Sequence, residues 1–542
     1  MRFLLINPYC PISENPSPSL GLAFLAGALE EAGIETRVID FTVFPFSKKI
    51  LESVLRDFRP NLVGATSVTM TYDSAAQIIQ AVKALNPDIL TVMGGPHVTF
   101  WAEGAMNSLP ELDFVVLGEG EHTAVDLVRE TEQGRDWSRI KGIVYRQGPE
   151  VVRTGPREPT LELDSLPVPA RHYFPLGRYR ALGMPITMTT SRGCPFQCIF
   201  CVGRKMVGAR VRYRNPKKVV DELEYLCGLN FQQINIVDDL FTASKDHCLA
   251  VCHEIRKRKL KANWTSFSRV DTISRELLIE MKKAGCYAVS FGVETGNPDI
   301  LKTLKKKIDL EQVLEAANLC REVGVEAHFT FILGLPGETP ETLRQTVDFG
   351  EKIGSIGGSS GFHLLAPFPG TEIREKMDAL GLSILTHDWS QYHANRAIVE
   401  TPSVTKKMLD ELVISWEKKY LDRLGLIKQR REKGEVAESE AWELTKLEHI
   451  AVINDLMMSR AVEEKGTWPR TDRFVSEEDS LDRLVDRVWN STDSGRDQVH
   501  KALSFAVGQG NLICSTQNGL VCWTWLDYLN MESERIPVTP TA

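Results

Sequence analysis

Short apolar runs alternate with amphipathic stretches along two long tracts of this chain, and that alternation limits the fold more than any other feature. In the first tract the runs fall at residues 3–6, 36–39, 62–67, 89–93 and 114–117, with helical patterns at 21–32, 49–58 and 73–85 between them. Strands separated by helices in this way pair in parallel and are covered on both faces, which predicts a doubly wound, Rossmann-like α/β sheet. The second tract repeats the pattern with strands at 233–237, 263–267, 288–291, 326–332 and 361–365 and a helix between each pair. Repeated units of that period predict a partial (β/α) barrel of the TIM type. The expected organisation is a first domain at 1–140, a proline-rich connection at 141–183, the barrel at 184–388 and a mainly helical region at 389–542.

Between the two tracts lies the loop SRGCPFQCIFC, which places Cys194, Cys198 and Cys201 close together after a strand-like run at 185–190. Three thiolates can hold three irons of a 4Fe-4S cluster and leave the fourth iron open to a ligand, whereas clusters with no catalytic task normally take four cysteines. Zinc is the other reading, but a two-pair zinc site needs a second pair at suitable spacing, and the remaining cysteines are scattered. They give no disulfide framework either, so a reducing, cytoplasmic setting is expected.

Ligands of parallel sheets bind at the carboxyl ends of the strands. In the first tract those ends carry Asn7, Ser67 and Thr71, Gly94, Gly95 and His97, and Gly118 and Glu119. A dinucleotide-binding G-x-G-x-x-G is absent after the first strand. In the second tract the polar candidates are Asp238 and Asp239, Arg269, Glu294, His328 and Thr330, and the turn Pro369-Gly370-Thr371. Asp239 also reads as a helix N-cap, Arg269 as a surface salt bridge and Glu294 as an exposed glutamate.

The cysteine loop resembles that of the radical S-adenosylmethionine (radical SAM) enzymes. The motifs INPY (6–9), PSLGLAFLAGALEEAG (18–33), GATSVTMTYDSA (64–75), GGPHVTF (94–100) and VVLGEGE (115–121) resemble the cobalamin-binding domain that precedes the radical SAM domain in one large subgroup. LDSLPVPAR (163–171) is similar to the connector of that subgroup, and NIVDDLFT (235–242), GVETGNPDIL (292–301), FILGLPGET (331–339) and LLAPFPGTE (364–372) resemble its barrel motifs. The resemblance implies a 4Fe-4S cluster on Cys194, Cys198 and Cys201, S-adenosylmethionine held by Arg269, Glu294, His328 and the Pro369–Thr371 loop with Phe200 near its adenine, and cobalamin on the first domain. It also implies that Asp238 or Asp239 serves the substrate or the cosubstrate. The D-x-H-x-x-G motif that supplies a lower cobalt ligand in many cobalamin proteins is missing, so the lower face is expected to meet residues 67–72, with His97 capping a loop or, alternatively, ligating cobalt.

The function the resemblance implies is C-methylation of an sp3 or sp2 carbon, through a 5'-deoxyadenosyl radical and a methyl group carried by cobalamin. The alternative is radical cyclisation or rearrangement with the same cofactors. A small-molecule or lipid substrate and an electron donor such as flavodoxin or ferredoxin would be its partners. A cluster-binding regulator without turnover would need the thiols but not the cosubstrate motifs. With a formal net charge of -8 the chain has no overall basic footprint for nucleic acid, and no run of 18 apolar residues predicts a membrane span. Beyond 388, helical periods appear at 406–424, 435–464, 477–489 and 499–507. Trp468, Trp489, Trp523 and Trp525 there read as core, or as the wall of an apolar pocket.

Overall fold

A computed structural model describes residues 1–134, 136–436, 438–470 and 476–529. Strands β1 (Arg2–Asn7), β2 (Glu35–Asp40), β3 (Leu62–Thr66), β4 (Leu90–Gly94) and β5 (Phe114–Val116) form a parallel sheet in the order β2-β1-β3-β4-β5. The order reverses between β1 and β3, and the crevice at such a switch point is where sheets of this type bind ligands. Helices on both faces cover the sheet. Helix Leu20–Glu31 starts where the Ser19 hydroxyl accepts from the Leu22 amide, and Ser47 caps Lys48–Phe58 in the same way.

The sheet does not stop where the sequence pattern does. Within the expected connection, β6 (Ile143–Gln147) and β7 (Glu150–Arg153) form a hairpin that extends it by two antiparallel strands. Gly148, at φ 61°, makes the turn beside Pro149, so that proline interrupts a hairpin rather than an unstructured link.

In the second body, six parallel strands run β8 (Ile186–Met188), β11 (Ile234–Ile236), β12 (Trp264–Ser268), β13 (Cys286–Glu294), β14 (Glu326–Leu333) and β15 (Ser359–Leu364), in that order across the sheet. The two-residue strands β9 (Ser191–Arg192) and β10 (Arg212–Tyr213) flank the cysteine loop as an antiparallel pair. Val289, Phe291, Val293, Phe329 and Phe331 point outward and are buried under the helices. The alternate residues point inward, in rows set by the register: Phe267, Ser290, His328 and Ser359, then Gly292, Thr330 and Gly361. Barrel interiors are normally filled by bulky branched side chains. Here Ser290, Ser359, Gly292, Thr330 and Gly361 are small, and Phe267 beside them stays 46% exposed.

After the short pair β16 (Ser383–Ile384) and β17 (Val399–Glu400), two long helices, Lys406–Glu432 and Glu438–Met458, lead to a compact C-terminal unit. It is less purely helical than its periods suggest. A helix, β18 (Thr467–Pro469), two helices, β19 (Leu512–Gln517) and β20 (Leu520–Trp525) follow in turn, with sheet order β18-β20-β19, the topology of a winged helix. Trp468, Trp523 and Trp525 fill its core, while Trp489 is 39% exposed, so three of the four tryptophans pack inside the unit rather than line a substrate pocket. Buried Arg178 fastens the unit to the rest by pairing with Glu463 and, at 2.6 Å, with Asp527. Residues 530–542 of the expected C-terminal region lie outside the described residues. Among the described residues no helix is long and apolar enough to cross a membrane.

Candidate active site

The loops after the carboxyl ends of both sheets meet. Phe100, which follows β4, packs so tightly on Gly370, which follows β15, that a Cβ at 370 would lie 2.3 Å from the Phe100 ring. His97 and Trp101 meet Trp389 edge to face, with ring centroids 4.8 and 5.3 Å apart. The loops at the carboxyl edges of the two sheets therefore touch.

Cys194, Cys198 and Cys201 are free thiols on a loop fixed at several points. The Gly193 amide donates to Asp239 Oδ2 (3.1 Å) and the Cys194 amide to the Gly208 carbonyl (3.2 Å). Ile199 donates to Leu304 and accepts from Ile373. Among the described residues no three His, Cys, Asp or Glu side chains converge as they would around one metal ion. Burial raises the Cys194 and Cys198 thiols, and the cations Lys306 and Arg269 work against that rise. The Gly203 amide donates to Cys201 Sγ at 3.3 Å.

Asp238 and Asp239 brace this loop. Asp238 is buried and accepts from the Thr190 amide and hydroxyl (both 2.6 Å) and the Ser191 hydroxyl (2.7 Å). Burial nonetheless raises its carboxyl above the usual range. Asp239 caps no helix, as the following turn begins at Phe241. Asp238 thus presents no free face like that expected of a catalytic base, whereas Asp239 is exposed, with its Oδ2 engaged by the Gly193 amide.

Arg269 is equally committed. Its guanidinium grips Asp271 with two 2.9 Å bonds, donates to the Lys306 and Lys307 carbonyls, and lies 3.6 Å over the Phe196 ring of the cysteine loop. It is buried, not a surface ion pair, and only Nη1 lacks a partner. Its hold on residues 306 and 307 presents Lys306, which the sequence reading passed over. Lys306 Nζ is buried 2.6 Å from Glu294 Oε1 and 5.7 Å from the centre of the Phe200 ring. Glu294 takes a left-handed φ of 74° at an irregularity in the β13–β14 pairing. A Cβ on Gly292 would stand 2.4 Å from Glu294 Oε1 and 2.9 Å from Lys306 Nζ, so the pair sits in the space that a side chain at 292 would take. Lysine in the run Lys305-Lys306-Lys307 has the look of a solvated surface, which is why periodicity gave no signal.

Thr371 caps a short helix by accepting from the Arg374 amide, which fixes the Pro369–Thr371 turn beside Phe368. His328 is the third residue of β14 rather than its end, about 16 Å of strand below Leu333. Its Nδ1 contacts Ser359 Oγ at 2.9 Å, and burial, with His363 nearby, lowers its pKa.

In the first domain, Tyr9, Phe46 and Val68 follow β1, β2 and β3 and stay 38–44% exposed, an apolar edge at the switch point. Beneath it the Ser67 hydroxyl is buried without a partner. Gly95 (φ 102°) is required there, because a Cβ would lie 2.5 Å from the Ser67 carbonyl. Thr71 is buried and bonds the Val68 carbonyl. Asn7 donates to Asp40 (2.9 Å) and Thr42 (3.2 Å) in a buried network that includes Tyr179. His97 is caged by Tyr72, Trp101 and Trp389 and contacts Thr69 Oγ1 at 3.3 Å. Burial, helped by Arg374, pushes its pKa down to about 3. Gly118 donates its amide to Thr99, and Glu119 is engaged by Arg212 (2.7 Å), Arg192 (3.3 Å) and the Thr160 amide, so its carboxylate is not open to a cofactor.

Against known proteins, the chain matches the Radical SAM superfamily over residues 188–350 and the B12 binding domain over residues 13–128. It is similar to the uncharacterized methyltransferase PH0819 of Pyrococcus horikoshii, with 32% identity over 76% of this chain and 91% of that one. It is also similar to the anaerobic magnesium-protoporphyrin IX monomethyl ester cyclase of Rubrivivax gelatinosus, 29% identical over 79% of this chain and 78% of the cyclase. Its fold is shared with the cobalamin-dependent S-adenosylmethionine radical enzyme OxsB, solved with aqua-cobalamin and S-adenosylmethionine, at TM-score 0.66 and 18% identity over 94% of this chain and 84% of OxsB.

Proposed function

We propose, for a chain that belongs to the radical SAM superfamily and carries a B12-binding domain ahead of its radical SAM domain, that the reaction is methylation of an unactivated carbon. The enzyme is cobalamin-dependent and takes a 4Fe-4S cluster, S-adenosylmethionine and cobalamin. When bound, these groups supply a 5'-deoxyadenosyl radical from reductive cleavage of S-adenosylmethionine and a transferable methyl group.

The chain's own residues bind and orient. Cys194, Cys198 and Cys201 would hold the cluster. The Glu294–Lys306 pair receives the amino-acid end of S-adenosylmethionine by exchange, in which the cosubstrate ammonium goes to Glu294 and its carboxylate to Lys306. One internal ion pair becomes two across the interface, so no charge is left buried alone. Arg269 holds Lys306 in place instead of touching the cosubstrate. Phe200 and the Pro369–Thr371 turn flank the adenosine. Tyr9, Phe46 and Val68 would offer the apolar bed for cobalamin, with Gly94 and Gly95 beside it. His97, caged by aromatic rings, supports that bed and does not ligate. His328 belongs to the inward-facing rows of the barrel, where a neutral imidazole accepts a hydrogen bond from a polar group of the substrate. A flavodoxin or ferredoxin would supply the electron.

The observation that supports this reading is the meeting of the two carboxyl edges at Phe100 and Gly370, since cofactors bound on those edges would face one shared space. Methyl donor and radical source must share the substrate carbon in a methylation. Cyclisation without methyl transfer is the second reading, favoured by the likeness to the protoporphyrin ester cyclase. Anaerobic incubation with S-adenosylmethionine, cobalamin and an extract of the source cells separates them. Methylation yields S-adenosylhomocysteine and 5'-deoxyadenosine in equal amounts; cyclisation yields the second with little of the first.

A further inference from the structure

The motif VVLGEGE ends β5 and opens helix Glu121–Gln133, at the carboxyl edge of the first sheet. Its two carboxylates point across the domain boundary. Glu121 accepts from Arg192 Nη2 at 2.7 Å, Arg192 Nη1 lies 3.3 Å from Glu119, and Glu119 accepts from Arg212 at 2.7 and 3.0 Å. Glu121, Arg192, Glu119 and Arg212 thus form one alternating chain of four charges, with side-chain exposures of 7, 14, 10 and 4%. Burial alone would raise Glu119, but Arg212, Arg192 and the Thr160 amide outweigh it and hold the carboxyl below its ordinary range.

Arg192 and Arg212 face each other in the β9–β10 pair, and Arg192 stands two residues before Cys194. Its other side is fixed too: the guanidinium lies 4.8 Å over the Phe24 ring of the first domain, and Ser191 is bonded to Asp238 of the barrel. Four buried charges are a weak source of net stability, since desolvation offsets most of their attraction. What such a network does well is select one arrangement, because a shift of either partner strands a buried charge. Bidentate guanidinium–carboxylate geometry sharpens that choice.

We propose that Glu119 and Glu121, through Arg192 and Arg212, are positioning residues that register the cysteine loop against the cobalamin-binding domain. They touch neither cofactor. Their task is to keep the cluster and the cobalt at one separation, so that a substrate carbon placed for hydrogen removal is also placed for the group that cobalamin carries. The inference stands on the binding of both cofactors and is independent of whether the product is methylated or cyclised.

The test uses holoenzyme, Co(II) cobalamin and the dithionite-reduced cluster, whose two unpaired spins report their own separation by pulsed dipolar spectroscopy without any substrate. Wild-type protein should give one narrow distance distribution. Glu119→Gln with Glu121→Gln should retain both cofactors and widen that distribution at least about twofold, with amide exchange across residues 190–196 faster by about an order of magnitude. Arg192→Lys, which keeps the charge and loses the fork, should widen it in the same sense, and Glu121→Asp should stay near wild type. Narrow distributions in both the double carboxylate variant and Arg192→Lys would overturn the proposal. Global unfolding of both would overturn it as well, since the network would then hold the fold rather than set a registry.

Discussion

Lys306 is the most exposed point of the account, because its role rests on one buried contact. Glu294 and Lys306 have 5 and 6% residual exposure and meet at 2.6 Å. Lys306→Met leaves the Glu294 carboxylate buried without its cation, and Glu294→Gln does the converse. Breaking a buried pair from one side costs about 3–5 kcal/mol, whereas removing both charges together costs far less. The double variant Glu294→Gln, Lys306→Met should therefore recover about 2 kcal/mol or more of the summed loss as a coupling energy. Native-state hydrogen exchange on the 290–296 segment reads this locally: a loss of about 3 kcal/mol speeds exchange by roughly two orders of magnitude. Equilibrium dialysis of S-adenosylmethionine against cluster-loaded protein adds the binding side. A lost charged hydrogen bond is worth about 1.5–3 kcal/mol, or roughly ten- to a hundredfold in affinity, and Lys306→Arg should keep most of it. If both single variants exchange like wild type and bind the cosubstrate as tightly, the zwitterion-exchange argument is wrong.

Replacing Cys194, Cys198 and Cys201 together by alanine should abolish the brown chromophore and all 5'-deoxyadenosine formation; a triple variant with its full iron content would reject the assignment. The cobalt(II) signal of the wild type should lack nitrogen splitting from a protein imidazole, and Val68→His should introduce it, while splitting already present in the wild type would make His97 the ligand. His97 titrates at about 3 in the folded protein against an ordinary 6.5. The unfolded chain is then the better proton binder between those values, so stability is complete above about pH 6.5 and falls as the pH drops toward 3. At pH 5 the loss is about 2 kcal/mol, and a flat pH profile of urea unfolding in wild type, or one unchanged by His97→Gln, would contradict the burial of this ring.

The two α/β bodies and the cysteine loop were legible because periodicity and thiol spacing are local signals. Individual side chains within the site were less so. Asp238, Arg269 and Glu119 were recognisable as important at their strand ends, but a linear pattern cannot tell a group that holds a ligand from one that holds the loop beneath it. Arg269 spends its donors on Asp271 and two carbonyls, and the cation it thereby positions, Lys306, sat in a run of three lysines. His328 is third in a strand expected at 326–332 and found at Glu326–Leu333, so grouping it with the strand-end residues took an inward-facing position for an end. The C-terminal hairpin left a cue in Asn518-Gly519 between alternating apolar residues, yet β18 joins it from about fifty residues upstream, beyond any local window.

The central claim is that one chamber joins a radical source to a methyl donor, and isotope transfer tests it most directly. With S-adenosylmethionine deuterated in its methyl group, anaerobic turnover on source-cell extract should give a product bearing all three deuterons. One S-adenosylhomocysteine and one 5'-deoxyadenosine should accompany each product molecule, and Glu294→Ala should depress both. Substrate consumed with 5'-deoxyadenosine formation but no deuterium in the product and no S-adenosylhomocysteine would contradict methylation and leave cyclisation or rearrangement as the reaction.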